Sequence, residues 1–151
     1  MALEFNTIGV AIKYCVAASS TRPTSGYTKI PDIKNISEMA LTPSQLEVTN
    51  LEDGTKRYIP GVKDPGNDQT LTANLTASLK TAWASLVTAA EAAWASGNST
   101  WFEVAIPNFD SWYFAGLPVE LGLGAQAVDA VEEATLHIIP NQIAGWAAAS
   151  T

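Results

Sequence analysis

Thr76-Ala-Ser-Leu-Lys-Thr-Ala-Trp-Ala-Ser-Leu-Val-Thr-Ala-Ala-Glu-Ala-Ala-Trp-Ala-Ser-Gly97, followed closely by Trp101-Phe-Glu-Val-Ala-Ile106, is the passage on which the fold turns. In its first part Leu79, Trp83, Leu86, Val87, Ala90 and Trp94 recur at spacings of 4, 3, 1, 3 and 4, which gathers them on one face of a helix. Alanine, the strongest helix former, fills most of the remainder. Thr76 or Ser78 suits the N-cap, and Gly97 suits the left-handed residue past the end. A helix is therefore predicted over about residues 77–96. In the second part the period switches to two: Phe102, Val104 and Ile106 alternate with Trp101, Glu103 and Ala105. Pro107-Asn-Phe-Asp110 reads as a turn and Ser111–Ala115 as the returning strand of a β-hairpin, with Leu117–Leu121 as its extension.

Outward from this centre the chain keeps the strand period. Val10, Ile12, Tyr14 and Val16 alternate in a first strand, and residues 19–26 read as a loop. Tyr27–Ile36 reads as a second strand in which Pro31 forces an edge position or a bulge. Gln69–Leu75 and Val131–Ile139 alternate likewise; Gly122–Ala125 is a break, Pro140 ends the last strand, and the tail Ala144–Thr151 is expected to be loosely held. Between the second strand and Gln69 lies the least regular stretch, Thr42–Asp68, punctuated by Pro43, Asp53-Gly54, Pro60-Gly61 and Pro65-Gly66. Structureless loops of this length are uncommon in compact domains. The strand-like pieces Leu46–Thr49 and Arg57–Ile59 make it an extended arm instead. The expected fold is mainly β with one flanking α-helix: an antiparallel β-sandwich or partly open barrel with a long arm at about 42–68, one domain over 1–151.

Composition narrows the function classes. Hydrophobic residues make up 47% of the chain but charged residues only 15%, below the roughly 25% of an ordinary soluble domain. A surface this sparsely charged suits a chain that covers itself with partners. All eight Lys and Arg residues lie between Lys13 and Lys80, so the net charge of −7 resides in the second half. That argues against a grip on nucleic-acid phosphates, which rests on Lys and Arg. Cys15 is the only cysteine, so neither an internal disulfide nor a cysteine metal site is available. The start, Met1-Ala-Leu-Glu-Phe-Asn, has no basic or apolar signal-peptide region, and no stretch approaches the ~20 apolar residues of a membrane span. Synthesis in a reducing cytoplasm without membrane insertion is the expectation.

Three passages carry a resemblance to a known family. They are Tyr27-Thr-Lys-Ile-Pro-Asp-Ile-Lys-Asn-Ile36, the arm from Leu46-Glu-Val-Thr-Asn through Lys-Arg-Tyr-Ile-Pro-Gly-Val-Lys-Asp-Pro-Gly66, and Phe102-Glu-Val-Ala-Ile-Pro-Asn108 with Trp112-Tyr-Phe-Ala-Gly116. In this order, across residues 9–140, the chain resembles the tail tube (major tail) proteins of long-tailed bacteriophages. Many members finish with a Ser-Gly pair where this chain has Pro140-Asn-Gln-Ile-Ala-Gly145, which leaves the register of the last strand open. The resemblance implies a structural subunit of the virion tail, assembled in the host bacterial cytoplasm into hexameric rings stacked as a tube. It implies as partners the chain itself, a tape-measure protein, tail terminator and tail tip proteins, and transiting double-stranded DNA, with no cofactor. Inter-ring contacts would fall on the arm residues Leu46, Val48, Tyr58, Ile59, Pro60, Gly61 and Val62. Glu103, Glu132 and Glu133 are candidates for an acidic lumen that repels DNA.

Competing readings are weaker. His137, the only histidine, lacks any catalytic or zinc motif around it and is expected to be structural. Glu132 and Glu133 are adjacent, so on a strand they point to opposite faces and cannot act as an acid/base pair. Asp64-Pro-Gly-Asn-Asp68 lacks the regular ligand spacing of a calcium loop and reads as turn chemistry. No catalytic residue or metal ligand is assigned. The five tryptophans, Trp83, Trp94, Trp101, Trp112 and Trp146, keep a carbohydrate-binding module as an alternative. A tube protein of a contractile injection or type VI secretion-like machine is a second alternative.

Overall fold

The computed structural model describes residues 8–17, 19, 21–66 and 68–151. The amino-terminal stretch read against a signal peptide, and Asn67 of the Asp64–Asp68 turn, lie outside these. The ten elements are β1 (Ala11–Val16), β2 (Thr28–Lys29), β3 (Ile33–Ile36), β4 (Thr42–Glu47), β5 (Tyr58–Asp64), β6 (Gln69–Asn74), α1 (Ala77–Ala95), β7 (Thr100–Ala105), β8 (Ser111–Pro118) and β9 (Glu133–Ala147). Seven strands form one antiparallel sheet in the order β2-β1-β7-β8-β9-β6-β3, and β4 and β5 form a separate two-stranded sheet.

The sheet's two edges, β2 and β3, are consecutive in sequence with only Ile30-Pro31-Asp32 between them. Ile30 donates its N–H to the Ile12 carbonyl on β1, while the Asp32 carbonyl accepts from the Asn74 N–H on β6. Two residues of chain span no more than about 7 Å, so the sheet must curl until its far sides nearly meet. The result is a partly open barrel. The single strand expected over Tyr27–Ile36 is thus broken in two. Pro31, which lacks an N–H, and Asp32, with φ 62°, make the crossing.

The helix packs over the middle of the sheet, chiefly on β8 with β1 and β7. Thr76 caps it, accepting from the Leu79 N–H at 3.1 Å and lying 2.6 Å from Asp32. At the other end Gly97 adopts φ 80°, and the Gly97 and Asn98 N–H groups return to Trp94 and Ala93, a Schellman closure. Leu79, Trp83, Leu86 and Val87 pack with Ile12, Phe102, Phe114, Leu71, Leu136 and Ile138 of the sheet. Trp83 Nε1 also donates to the Val119 carbonyl at 2.8 Å, fixing the helix to the end of β8. One helix assignment needs correction. Trp94 is 53% exposed, and Ala93 takes its place on the buried face. The buried row runs 79, 83, 86, 87, 90, 93; at 100° per residue Trp94 shares its sector, but it stands in the last turn, one residue before the helix ends at Ala95.

The last strand also differs from expectation. It runs to Ala147, passing Pro140 instead of stopping there, because register shifts opposite β8 absorb the residue that cannot donate. The tail beyond it is pinned as well, as described below. Among the described residues no helix is long and apolar enough to cross a membrane.

Candidate assembly surface

The arm is an ordered hairpin. β4 and β5 pair from Thr42↔Asp64 to Glu47↔Tyr58, with a register shift between Pro43 and Gln45. Of their thirteen residues, only Gly61 is not exposed. Leu46, Tyr58 and Ile59 are each about half exposed and Val62 is 84% exposed, while Val48 lies just past the strand. A lone two-stranded hairpin is marginal in water, and this one presents apolar side chains to solvent instead of a core.

The tip is built by side chains. Asn50 and Asp53 bind each other across the turn: the Asn50 N–H donates to Asp53 Oδ2 at 2.9 Å, and the Asp53 N–H donates back to the Asn50 carbonyl at 3.2 Å. Asn50 Oδ1 accepts from the Glu52 N–H at 2.9 Å, and Arg57 reaches Asp53 at 3.4 Å. The Arg57 N–H donates to Thr49 Oγ1 at 2.8 Å. These bonds fix a turn whose apex residue, Leu51, is fully exposed. Leu51 is not among the expected inter-ring residues, although the Asn-Leu-Glu-Asp-Gly run that creates the turn signals it. At the arm's base the Gly66 N–H donates to Asp64 Oδ1 at 2.8 Å, with φ 92° at Gly66, which is turn chemistry over Asp64–Gly66.

Of the three acids named for a lumen, Glu103 is corrected. It is 0% exposed and lies on the sheet face turned away from the helix, beside Tyr113. Glu103 Oε2 accepts from the Ser150 N–H at 2.9 Å, and Oε1 pairs with Ser150 Oγ at 2.7 Å. Tyr113 Oη sits 2.8 Å from Glu103 Oε2 and 2.7 Å from the Ala148 carbonyl, so its one hydrogen serves one acceptor at a time. Burial alone would push the Glu103 carboxyl up, but the Ser150 donors and their neighbours outweigh it and hold it below the ordinary range. Burial, and then the bond to Glu103, push Tyr113 up to about 12. Arg22 lies 4.4 Å over the Tyr113 ring, and the Thr151 N–H donates to the Thr24 carbonyl. The tail expected to be loose is therefore clasped to the body by a buried carboxylate. A strand acid reads as solvated by default, and nothing local in the sequence couples Glu103 to Ser150, 47 residues away.

Glu132 and Glu133 are exposed; Gln126 Nε2 donates to Glu132 Oε1 at 2.7 Å, and Glu133 is ion-paired with Lys34. Only Glu133 lies on a strand. His137 pairs with Asp68 at 2.6 Å on the surface. The tryptophans do not form a row of stacked faces: Trp83 and Trp101 are buried, and Trp112 meets Trp146 edge-on with centroids 5.4 Å apart.

No family model matches the chain, and no curated protein does. Solved structures match it in fold. A chain in the tail of an empty gene transfer agent particle, obtained by helical refinement with C6 symmetry, superposes with TM-score 0.62 at 14% identity, covering 95% of this chain and 100% of that one. A chain in the virion of the native gene transfer agent gives TM-score 0.58 at 13% identity, with 95% and 100% covered. A chain of the anti-feeding prophage baseplate, sixfold symmetrised, gives 0.57 at 13%, with 95% of each covered. The resemblance to tail tube proteins holds at the level of the fold, which this chain shares over nearly its whole length with subunits of these tail assemblies.

Proposed function

We propose that the chain is a structural subunit of a phage-type tail, closing into hexameric rings that stack into a tube for DNA delivery around a tape-measure protein. The observation that carries this is the arm: an ordered hairpin with its apolar residues in water, on a fold shared end to end with subunits of sixfold tail assemblies. Leu46, Tyr58, Ile59 and Val62 stay about half exposed or more, which forfeits part of the roughly 1.5–3 kcal/mol that fully burying a large apolar side chain contributes. Only association recovers it. Glu132 and Glu133 remain candidates for a repelling lumen, with Glu133 partly neutralised by Lys34.

The test is to delete residues 47–63 and compare both proteins by electron microscopy at rising concentration. The parent should form rings or tubes of uniform width, and the deletion should leave a folded monomer that does not polymerise. Normal tubes from the deletion would remove the arm from the assembly. A second reading, a single ring in a baseplate, is favoured by the baseplate chain that shares the fold. It would give rings that never lengthen.

A further inference from the structure

The arm's tip has a complement on the same chain. Between the middle of α1, from Lys80 to Glu91, and the segment after β8 lies a cleft of about 270 Å³. Ala84, Val87 and Leu121 give it apolar walls, and Lys80, Glu91 and Glu120 also line it. Among the described residues neither Glu91 nor Glu120 has an ion-pair partner. The tip offers the matching set: Leu51 projects fully exposed from a turn already fixed by Asn50, Asp53 and Arg57, with Glu52 next to it and Lys56, exposed and without an ion pair, across the turn. An apolar knob flanked by an acid and a base matches an apolar slot lined by one base and two acids. Because the turn is already ordered, little conformational freedom is lost when it docks.

Position decides who fills the slot. Trp112, near the start of β8, donates Nε1 to Met39 Sδ at 3.2 Å, three residues before the arm begins. Trp83, in the cleft, is bonded to Val119 just past the other end of β8. Arm root and cleft therefore lie at opposite ends of a strand about 20 Å apart, and the extended arm reaches about 30 Å from Thr42 to Leu51. Leu51 stands fully exposed and so is not seated in its own cleft, whereas a second copy placed head to tail can receive it. Each copy then both gives and takes, the heterologous contact that propagates without closing.

We infer that the Leu51 turn of one copy docks in the α1–Leu121 cleft of another, with Lys56 toward Glu91 and Glu120 and Glu52 toward Lys80. This rests on the tube-subunit reading and names the receiving surface. In a Cys15→Ser background, chains carrying Leu51→Cys are mixed with chains carrying Ala84→Cys, assembled, oxidised and run on a denaturing gel. A covalent dimer that appears only in the mixture is the expected result. Both substituted residues are exposed, so the subunits should melt as the parent does. Leu51→Ser should raise the concentration needed for assembly by roughly tenfold to a hundredfold, and Glu120→Lys should restore assembly lost in Lys56→Glu. Tubes that form without the cross-link, or Lys56→Glu chains that assemble normally, overturn the docking site and leave the tube reading standing. Parent protein that gives no rings, tubes or cross-links at any concentration overturns both.

Discussion

The molecule holds two antiparallel hairpins of similar length, β4–β5 and β7–β8, and they solve opposite problems. In β7–β8 Trp101, Phe102, Tyr113 and Phe114 are at most 1% exposed, and Trp112 is partly buried. In β4–β5 the comparable side chains stand in water. The strand period is shared; what differs is the neighbourhood. β7 and β8 sit in mid-sheet between β1 and β9 and against α1, whereas β4 and β5 pair only with each other. One hairpin orders without a core, and the other has a core on both faces. The contrast separates stability, which lives in β7–β8, from association, which the proposed function gives to the arm.

The strongest blow to that separation is a cavity in the mid-sheet hairpin. Phe102 and Phe114 are directly opposed across β7 and β8, stacked with centroids 5.3 Å apart and an interplanar angle of 18°. Phe114→Ala should cost about 3–5 kcal/mol of monomer stability, read as a lower denaturant midpoint with unchanged slope. A loss below 1 kcal/mol would mean that the core lies elsewhere.

Sequence patterning reached the two hairpins unequally. The switch from a 3.6 to a 2.0 period between Trp94 and Trp101 revealed the helix and β7–β8, because local period and burial agree there. The arm was legible as an arm from its Pro-Gly punctuation, but its apolar alternation alone does not say that nothing covers it. Exposure is a property of what the rest of the chain fails to place there. The three-residue crossing at Ile30–Asp32 was hidden for a related reason: two edges of a sheet can be joined only once its curl is known. Glu103 was misassigned because a strand acid is satisfied by whatever reaches it, and Ser150 reaches it from the far end of the chain.

That clasp gives a subtler way to sharpen the comparison, since it places a charge inside the stable hairpin. Glu103→Gln keeps the shape but removes the anion from its Ser150 donors, and should cost about 1–3 kcal/mol near neutrality. The sign with pH follows from the lowered carboxyl. Its stabilisation is complete above the ordinary value of 4.5 and is lost as pH falls through the lower folded value. Thermal melts of parent and variant should therefore converge as pH drops below about 4.5. A gap that stayed constant into acid would show that packing, not the anion, secures the tail.

The smallest effect comes from a matched pair of glycines, one in each hairpin. A Cβ at Gly116 in β8 would sit 2.7 Å from the Ile139 carbonyl oxygen and 2.8 Å from Ile138 Cγ2, both within the paired sheet, where β9 cannot withdraw without breaking register. Gly116→Ala should cost about 1–3 kcal/mol. A Cβ at Gly61 in β5 would meet chiefly the Ser44 hydroxyl, the end of an exposed side chain free to turn away. Gly61→Ala should therefore shift monomer stability by no more than about 0.5 kcal/mol. If the two variants melted alike, the arm would be coupled to the core after all. If only Gly116→Ala suffers, the arm can vary its surface without taxing the fold that carries it, which is what an element reserved for association requires.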